Sequence, residues 1–292
     1  MNYKIEIADI TDPGIDLAIR KLVMEAYYTT VDLPEKFLAA NIISKASKES
    51  FILVAKENNE ITGCNAFIAN DFILNGEPCI GYQSCWSVVH PKHQGKQIFS
   101  SLINEAKRIL KEQGAGFLYG IANDKSNPII TKKLGFTETA SLVLRIPNIP
   151  FVRNFYFTRR LLQKDNNGCL INEMQVMERK AAQFPDEVKI VKCGDSWLWG
   201  KLIEKKKYGF KLPVFYVGGV HLAVEKDMPH LVSAVFKLKR VLFVQFFSCK
   251  TNRFNVLLRG WKKPNMNGFI FFNLNSPSFE HFDLMIGTID VF

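Results

Sequence analysis

One stretch of the sequence, Gly81–Phe136, restricts the fold of the chain more than any other. An apolar strand, Cys85–Val89, runs into a short basic turn, and a helix and a second strand, Phe117–Ala122, follow. Apolar residues at i, i+3 and i+4 spacing predict the helix: Ile98, Phe99, Leu102, Ile103, Ala106, Ile109 and Leu110. Gly114 lies where a glycine ends such a helix. With a shorter helix before Phe136, the order is strand, helix, strand, helix.

The start of the longer helix is the part of this unit suited to a ligand. The helix begins directly after a strand end, with Gly95 and several basic residues beside it. A helix N-terminus leaves backbone N–H groups unpaired and carries a partial positive charge. It is therefore a ready site for a phosphate group. The alternative interpretation is a well-capped helix in an α/β core.

The same segment resembles the acyl-CoA core of the GNAT superfamily of N-acetyltransferases. In that family a turn of the form Arg/Gln-x-x-Gly-x-Gly/Ala wraps the CoA pyrophosphate, and the preceding splayed strand bonds the pantetheine arm. Here the turn reads Gln94-Gly95-Lys96-Gln97-Ile98-Phe99, after Val-His-Pro and before a later Lys-Leu-Gly-Phe. Gln97 stands where the family prefers glycine, and Phe99 where it prefers Gly or Ala.

The resemblance implies acetyl-CoA or another acyl-CoA as co-substrate, a small amine as acceptor, and no metal. It implies direct acyl transfer without a covalent enzyme intermediate. The cofactor contacts that it implies lie on the splayed strand, on the turn, on the first helical turn and after the next strand: Val88, Val89, His90, Gln94, Gly95, Lys96, Gln97, Ile98, Phe99, Ser100, Asn123 and Ser126.

The resemblance does not identify the catalytic acid and base. Many relatives have a tyrosine where this chain has Thr131, and some use a glutamate where this chain has Gln83. Gln83 cannot take a proton but can hold a water. Gln83, Tyr119 and Cys85 are the catalytic candidates, and burial in the core is the alternative for Tyr119 and Cys85. Cys85 as an acyl carrier is the alternative to direct transfer.

The residues before the core unit predict the order of elements with which a GNAT domain begins. They predict a strand within 3–10, a helix after Thr11-Asp12-Pro13, a short helix through Phe37, Leu38 and Ile42, strands at Phe51–Lys56 and Ile61–Ala69, a hairpin turn at Asn75-Gly76 and a strand at Cys79–Val89. The predicted fold class is therefore α/β (α+β), with a GNAT-like mixed, mostly antiparallel sheet flanked by helices.

Composition narrows the function classes. The net charge of +10 permits an anionic cofactor, nucleic acid or an anionic membrane. The basic residues are spread along the chain without a recognisable nucleic-acid-binding motif, so nucleic acid is not expected. No apolar run reaches the roughly 20 residues that span a bilayer. The six cysteines form no C-x-x-C pair or Cys/His cluster, which predicts reduced thiols in a cytoplasmic protein and no metal site.

The 292 residues are predicted to form two domains. A GNAT acyl-CoA-binding domain covers 1–147, an aromatic and basic connector covers 148–168, and a second, degenerate GNAT-like domain covers 169–292. The connector is expected to pack between the two halves, with a membrane-surface segment as the alternative. The turn Glu225–Pro229 in the second half has acidic residues and no glycine, so no CoA site is expected there.

The elements predicted for the second half repeat the order of the core unit. They are a helix at Ser196–Lys207 capped by Asp195, strands at Val214–Val217 and His221–Val224, a helix at Pro229–Lys239, a strand at Val241–Phe247, a helix at Arg253–Arg259, and strands at Phe269–Phe272 and Leu284–Val291. The functional prediction is an acyl-CoA-dependent N-acyltransferase acting on a small amine, an amino sugar being one class of acceptor. The alternative is a GNAT-like binding or assembly protein that has lost catalysis.

Overall fold

The structure, a computed structural model, describes residues 3–27, 33, 35–36, 42, 46–162, 168–207, 209–238, 241–264 and 268–288. The chain divides into two compact units, each assembled from separate segments. The first unit contains Met1–Asp71, Cys79–Thr137 and Ile270–Pro277, and the second contains Phe72–Pro78, Glu138–Phe269 and Ser278–Phe292.

The first unit is built on a mixed sheet. Its strands, in spatial order, are β1 (Lys4–Ala8), β2 (Phe51–Glu57), β3 (Glu60–Leu74), β4 (Glu77–Val89), β5 (Phe117–Ile121) and β13 (Phe269–Asn273). The first three strands pair antiparallel, whereas β4 and β5 are parallel. A parallel pair needs a crossover connection, and the predicted long helix provides it.

Helices cover both faces of this sheet. Helix α1 (Pro13–Tyr27) packs on one face, and α2 (Ile98–Glu112) and α3 (Asn127–Lys132) on the other. Five residues of the predicted stripe on α2 are buried, namely Ile98, Leu102, Ile103, Ala106 and Leu110. We call the core beside α1 the α1 face and the core beside α2 the α2 face.

The predicted turn glycines of the first unit are confirmed. Gly114 has φ +77 and ends α2: its N–H bonds to Lys111 O and the next N–H, of Ala115, bonds to Leu110 O. This pair of bonds is the Schellman motif, which satisfies the last carbonyls of a helix. Asn75 and Gly76 both have positive φ between β3 and β4, as a tight hairpin turn requires.

The second unit contains a five-stranded sheet and two further short strands. The sheet order is β7 (Ser141–Pro147), β12 (Phe243–Cys249), β11 (Phe210–His221), β10 (Ser196–Lys207) and β9 (Val188–Cys193). Strand β8 (Gly168–Ile171) pairs with β14 (His281–Asp283) and with Phe72–Leu74. The remaining short strand β6 covers Thr137–Thr139, and the helices are α4 (Pro150–Arg153), α5 (Glu173–Gln183) and α6 (Met228–Lys237).

The predicted helix Ser196–Lys207 is wrong, because this segment is strand β10. It pairs with β9 along one edge and with β11 along the other. Leu198 and Trp199 are both fully buried, so adjacent residues face covered surfaces on both sides of the sheet. The segment therefore lacks the alternation that marks a half-buried strand. Asp195 lies in the tight turn between the paired residues Cys193 and Ser196 and caps no helix.

Other elements of the second half differ in extent. The strand predicted at Val214–Val217 lies within β11, which continues through Gly218-Gly219 and ends at His221. The strand predicted at His221–Val224 is wrong beyond His221, because residues 222–224 form a bend before the next 3-10 helix. The helix predicted at Arg253–Arg259 is a 3-10 helix at Arg253–Leu257, and the strand predicted from Leu284 is wrong for Ile286–Thr288, a 3-10 helix. The helix at Pro229, the strand at Val241 and the strand at Phe269 are confirmed within a few residues.

The connector has both exposed and packed aromatic rings. Phe151 and Phe155 are 87% and 74% exposed, whereas Tyr156 and Phe157 pack against the core of the second unit. The packing of the connector between the two halves stays a prediction. Most of the short helix predicted through Phe37 and Leu38 lies outside the described residues.

Each unit contains segments that are separated in the sequence, whereas the sequence predicted one continuous segment for each domain. Strand β5 of the first unit has β13 beside it, and residues 270–277 belong to that unit. Strand β12 of the second unit has β7 beside it, although β7 precedes residue 148. Backbone pairing across a sheet depends on which edges meet and not on distance along the chain.

The predicted fold class is confirmed: both sheets are predominantly antiparallel and are flanked by helices. All six cysteines are free thiols. Within the described residues, no helix has the length and apolar character needed to cross a membrane.

Candidate functional site in the first unit

The candidate site begins where strands β4 and β5 separate. Their parallel register consists of Gly81 with Phe117, Tyr82 with Leu118 and Gln83 with Tyr119, and it ends there. Strand β4 continues for six more residues, to Val89, without a further partner on β5 among the described pairs. Parallel strands that separate leave backbone N–H and C=O groups available between them.

A bulge changes the direction of β4 beyond this point. Trp86 has φ +51, which is unusual for a bulky residue. Cys85 and Val88 both pack on the α1 face, whereas Val89 packs on the α2 face. In a regular strand, residues three apart point to opposite faces, so one residue is inserted at Trp86. Bulges of this kind redirect side chains and amides beside functional sites.

The turn after β4 brings two residues with positive φ to the start of α2. A 3-10 helix covers Pro91–His93, Gln94 is extended, and Gly95 and Gln97 have φ +82 and +61. Gln97, where the GNAT pattern prefers glycine, therefore adopts the left-handed conformation that glycine adopts without strain. The turn geometry is retained although the glycine is not.

The first amides of α2 have no hydrogen-bond partner. The first helical bond joins Ser101 N to Gln97 O at 3.0 Å, and the Gln97 side chain caps no amide. In the part of the chain that the structure describes, the N–H groups of Ile98, Phe99 and Ser100 make no hydrogen bond. These three amides form a group of donors beside the end of β4.

Gly63 on β3 allows α2 and β4 to approach each other closely. A Cβ atom placed on Gly63 would lie 2.7 Å from Ile98 Cγ2, 3.2 Å from Val88 O and 3.5 Å from Val89 Cγ2. Any side chain at position 63 would therefore push the helix away from the strand. The absence of a side chain at position 63 therefore lets Val88, Val89 and Ile98, all three predicted as cofactor contacts, lie close together.

Three basic side chains of the turn lie beside carboxylates, whereas Lys92 is exposed. His90 Nε2 lies 2.9 Å from Glu25 Oε2, and its Nδ1 accepts the N–H of Lys92 at 3.1 Å. His93 Nδ1 and Lys96 Nζ lie 2.9 and 3.2 Å from Glu57 Oε2. Because His90, His93 and Lys96 already have carboxylate partners, an anion at this turn would be bound by the backbone amides and Lys92.

Gly95 faces open space. A Cβ atom placed on it would meet no heavy atom of the described residues within 4 Å. The position thus leaves room for a group that approaches the backbone of the turn. Gln94, which begins the family pattern, is exposed beside it.

The two polar residues after β5 are engaged in their own turn. Asn123 Oδ1 accepts the N–H groups of Lys125 and Ser126 at 3.1 and 2.9 Å, and Ser126 Oγ accepts the N–H of Asn123 at 3.1 Å. These bonds shape the approach to α3. The Thr131 hydroxyl donates to Asn127 O at 2.8 Å within the same helix, so it is directed at the backbone.

The three catalytic candidates have different environments. Gln83 is fully buried, and neither Oε1 nor Nε2 has a partner in the described part of the chain. The Tyr119 hydroxyl accepts a hydrogen bond from Asn70 Nδ2 at 2.8 Å inside the core. Cys85 is half-buried on the α1 face. The neighbouring Tyr82 donates to Glu49 O at 3.1 Å, and burial, with a smaller effect of the Glu49 charge, raises its pKa to about 12.

Three features of this site were missed from the sequence. They are Gly63, the bulge at Trp86 and a polar network in which Asn65 bonds to Ser84 Oγ at 3.1 Å and to Ser87 Oγ. A glycine inside a strand pattern signals a close backbone approach, so Gly63 was detectable. The bulge and the network depend on the partner strand and had no local signal.

Comparison with known proteins agrees with this geometry. The family model described as an acetyltransferase (GNAT) domain matches residues 18–139. The match makes this part of the chain similar to a GNAT acetyltransferase domain. Among curated proteins, none matches this sequence.

Solved structures resemble the chain over nearly its whole length. Eis1 from Mycobacterium abscessus has a TM-score of 0.59 at 12% identity, covering 93% of this chain and 74% of that one. A GCN5-related N-acetyltransferase from Anabaena variabilis gives 0.59 at 11%, covering 94% and 73%. One from Kribbella flavida gives 0.58 at 10%, covering 94% and 72%. At these identities the likeness concerns the fold alone.

Proposed function

We propose that the protein is an N-acyltransferase that moves an acetyl or other acyl group from acyl-CoA to the amine of a small molecule. The observation that carries the proposal is the gap between β4 and β5, with the unpaired amides of Ile98, Phe99 and Ser100 beside it. The acetyltransferase family of residues 18–139 supports the same reaction class.

The residues of the turn fit the anionic part of a CoA molecule. Three free amides at a helix N-terminus suit a pyrophosphate, and the open face of Gly95 admits a close approach. Val88 and Val89, beyond the bulge, supply backbone groups for an amide-containing arm. These residues, with His90, Gln94–Ser100, Asn123 and Ser126 at the margin, are the proposed cofactor contacts.

The thioester supplies an activated acyl carbonyl. In direct transfer the neutral amine nitrogen forms a bond to that carbon and the carbon–sulfur bond breaks. The nitrogen then loses one proton, and the departing thiolate takes up one. We assign to Gln83 the holding of a water beside the reacting groups, because its buried amide has both a donor and an acceptor without partners. Positioning then contributes more than proton transfer by a side chain.

The second half is proposed to be a GNAT-like domain without a CoA site. Its elements β8, α5, β9, β10, β11, α6 and β12 repeat the order β1, α1, β2, β3, β4, α2 and β5. Strands β11 and β12 are parallel, as β4 and β5 are. Before α6, however, stand Glu225 and Asp227, which repel a phosphate.

A second candidate function is a binding or assembly protein that has lost catalysis. Thr131 bonds to its own helix, Tyr119 is held by Asn70 in the core, and Gln83 cannot exchange a proton at neutral pH. None of these groups is an obvious acid for the departing thiolate. Both candidate functions include binding of acyl-CoA, but only the transferase turns it over.

Thermal unfolding with acetyl-CoA tests cofactor binding. A ligand at 100 times its dissociation constant stabilises the folded state by about 2.7 kcal/mol, so a clear rise in melting temperature is expected. Gly95→Val should abolish the rise, because its side chain would occupy the open face of the turn. Gly114→Val is the matched control: it also has a positive φ and open surroundings, but it lies at the other end of α2.

Release of free CoA over a panel of amines, including amino sugars, then separates the two functions. Stabilisation with amine-dependent CoA release supports the transferase. Stabilisation without release across the panel supports the binding protein. No stabilisation of the wild-type protein at millimolar acetyl-CoA contradicts both.

A further inference from the structure

The second unit brings together three side chains that bind transition metals. One ligand atom each from Cys193, Asp227 and His230 can be chosen so that all three lie within 4.8 Å of one another. We propose that these residues form a site for a divalent ion of the zinc class. No local pattern indicates this site, because Cys193 is more than 30 positions from the other two residues.

The fold explains how the three residues meet. Cys193 is the last residue of β9, and the turn through Gly194, at φ +57, leads into β10. Asp227 ends a 3-10 helix, and His230 is the third residue of α6. Residues three apart on a helix lie on the same side, so Asp227 and His230 face the turn together.

The Asp227 carboxylate is held in place by a buried hydroxyl. Ser196 Oγ donates to Asp227 Oδ2 at 2.7 Å, and it accepts the N–H of Ala223 at 2.9 Å. Ser196 is fully buried, so this arrangement is fixed by the sheet. One carboxylate oxygen is thereby oriented and the other stays available. Hydrogen bonds of this type orient metal ligands and strengthen binding.

The set of donors selects the metal. A thiolate and an imidazole favour zinc and similar ions over magnesium and calcium, which take oxygen ligands. Tetrahedral zinc places its ligand atoms about 3.3 to 3.8 Å apart, given bond lengths near 2.0 to 2.3 Å. The three ligand atoms lie at most 4.8 Å apart, so side-chain rotations that move them by about 1 Å bring them into this range. His230 is exposed and Cys193 half-buried, so a fourth position faces solvent.

Binding would have a structural consequence. A metal ion held by Cys193 and by two residues at the start of α6 would fasten the β9–β10 turn to that helix. Binding displaces the proton of the thiol and is therefore stronger at higher pH. The site lies entirely in the second unit, so it does not depend on the proposed acyl transfer.

Cobalt(II) binding tests the proposal, because a thiolate ligand gives cobalt a charge-transfer band in the near ultraviolet. Untagged full-length protein is treated with a chelator, dialysed and titrated with cobalt(II), followed by zinc(II). We expect one ion per chain, the thiolate band, and displacement of cobalt by zinc. Absence of the band in the wild-type protein overturns the proposal.

Variants locate the ion. Cys193→Ser should remove the thiolate band, whereas Cys79→Ser, a half-buried thiol of the first unit, should keep it. His230→Gln alters an exposed residue and should weaken zinc binding at least tenfold, roughly the range for disturbed metal sites. His221→Gln, an exposed histidine of β11, should leave the affinity unchanged. A band that survives Cys193→Ser, or equal affinities for the two histidine variants, contradicts the site.

Discussion

Gln83 on β4 and Tyr119 on β5 form the last in-register pair of the parallel ladder in the first unit. Both side chains are fully buried. Tyr119 is held by Asn70, whereas the Gln83 amide has no partner among the described residues. A buried polar group without a partner costs stability, and it persists where a ligand or water uses it. This pair therefore marks the inner end of the proposed acyl-CoA site.

The first prediction concerns that amide. Gln83→Met keeps the length of the side chain and removes both polar atoms, so it should raise the free energy of unfolding by about 1 to 3 kcal/mol. The rate of acyl transfer should also fall, because without the Gln83 amide no water can be held beside the reacting groups once acyl-CoA is bound. Urea unfolding and CoA release measure the two effects.

Gln245→Met is the matched control for this change. Gln245 is also a buried glutamine on a strand, but its Oε1 accepts from Arg145 Nε at 2.6 Å. The control should therefore lose about 1.5 to 3 kcal/mol, because its partner is a charged guanidinium. If Gln83→Met destabilises the protein as much as the control, the Gln83 amide is satisfied in the free protein and the argument is wrong.

The second prediction concerns the strained residue before α2. Gln97 has φ +61, which costs an L-residue roughly 1 to 2 kcal/mol. Gln97→Gly removes this strain and adds about 0.5 to 1 kcal/mol of chain entropy cost, so a net gain of up to about 1 kcal/mol is expected. Gln94→Gly, at φ −61, carries only the entropy cost and should destabilise. Equal effects of the two substitutions in urea unfolding would rule out strain at Gln97.

The third prediction tests the close approach at Gly63. Gly63→Ala places a methyl group 2.7 Å from Ile98 Cγ2, and overpacking of this kind costs about 1 to 3 kcal/mol. Ile98→Ala removes the opposing atom, so the double variant should be more stable than the sum of the single effects predicts, by about 1 kcal/mol.

Leu102→Ala is the control for Ile98→Ala. Leu102 is buried on the same helix, but none of the three atoms nearest to a Cβ at position 63 belongs to it. Its combination with Gly63→Ala should be additive. If both double variants showed the same favourable coupling in the free energy of unfolding, α2 would be relaxing as a whole. That result would contradict a local contact between position 63 and Ile98.

The fourth prediction concerns pH and the second unit. Burial raises the pKa of Glu173 to about 8, with a smaller contribution from the Asp283 charge, although Trp199 Nε1 donates to its Oε2 at 3.2 Å. Because the folded-state pKa lies above the unfolded value, stability is full at low pH and is lost as pH rises from about 4.5 through 8. Glu173→Gln should flatten this decline.

The expected gain of Glu173→Gln at pH 8.5 is on the order of 1 to 3 kcal/mol, because the side chain is only partly buried. Urea unfolding at several pH values measures it. Asp186→Asn, a change at an exposed carboxylate of the same unit, should leave the slope unaltered. An unchanged slope in Glu173→Gln would show that this carboxyl is ionised in the folded protein throughout the range.

The elements of the first unit were predictable because local signals agree with one another. The stripe on α2, the stop at Gly114 and the turn at Asn75-Gly76 each follow from residues within a few positions. The location of the proposed cofactor turn between β4 and α2 was also predictable from the sequence. Its conformation at Gln97 was not, because glutamine gives no sign of a positive φ.

In the second unit, tertiary contacts override the local pattern. Strand β10 has buried side chains on both faces, since the adjacent residues Leu198 and Trp199 are fully buried, and such a segment cannot be told from a buried helix by periodicity. The Gln83 environment and the Cys193, Asp227 and His230 cluster arise in the same way, from strands and helices distant in sequence.

The strand, helix, strand unit with its turn and glycines follows from local sequence, because periodicity and turn chemistry are properties of neighbouring residues. Contacts between distant segments place β13 beside β5 and β7 beside β12, allow α2 to approach β4 at Gly63, and bury Gln83 without a partner among the described residues. These contacts arise because strand edges and packed faces select partners by backbone bonding and shape across the whole chain, which no local pattern records.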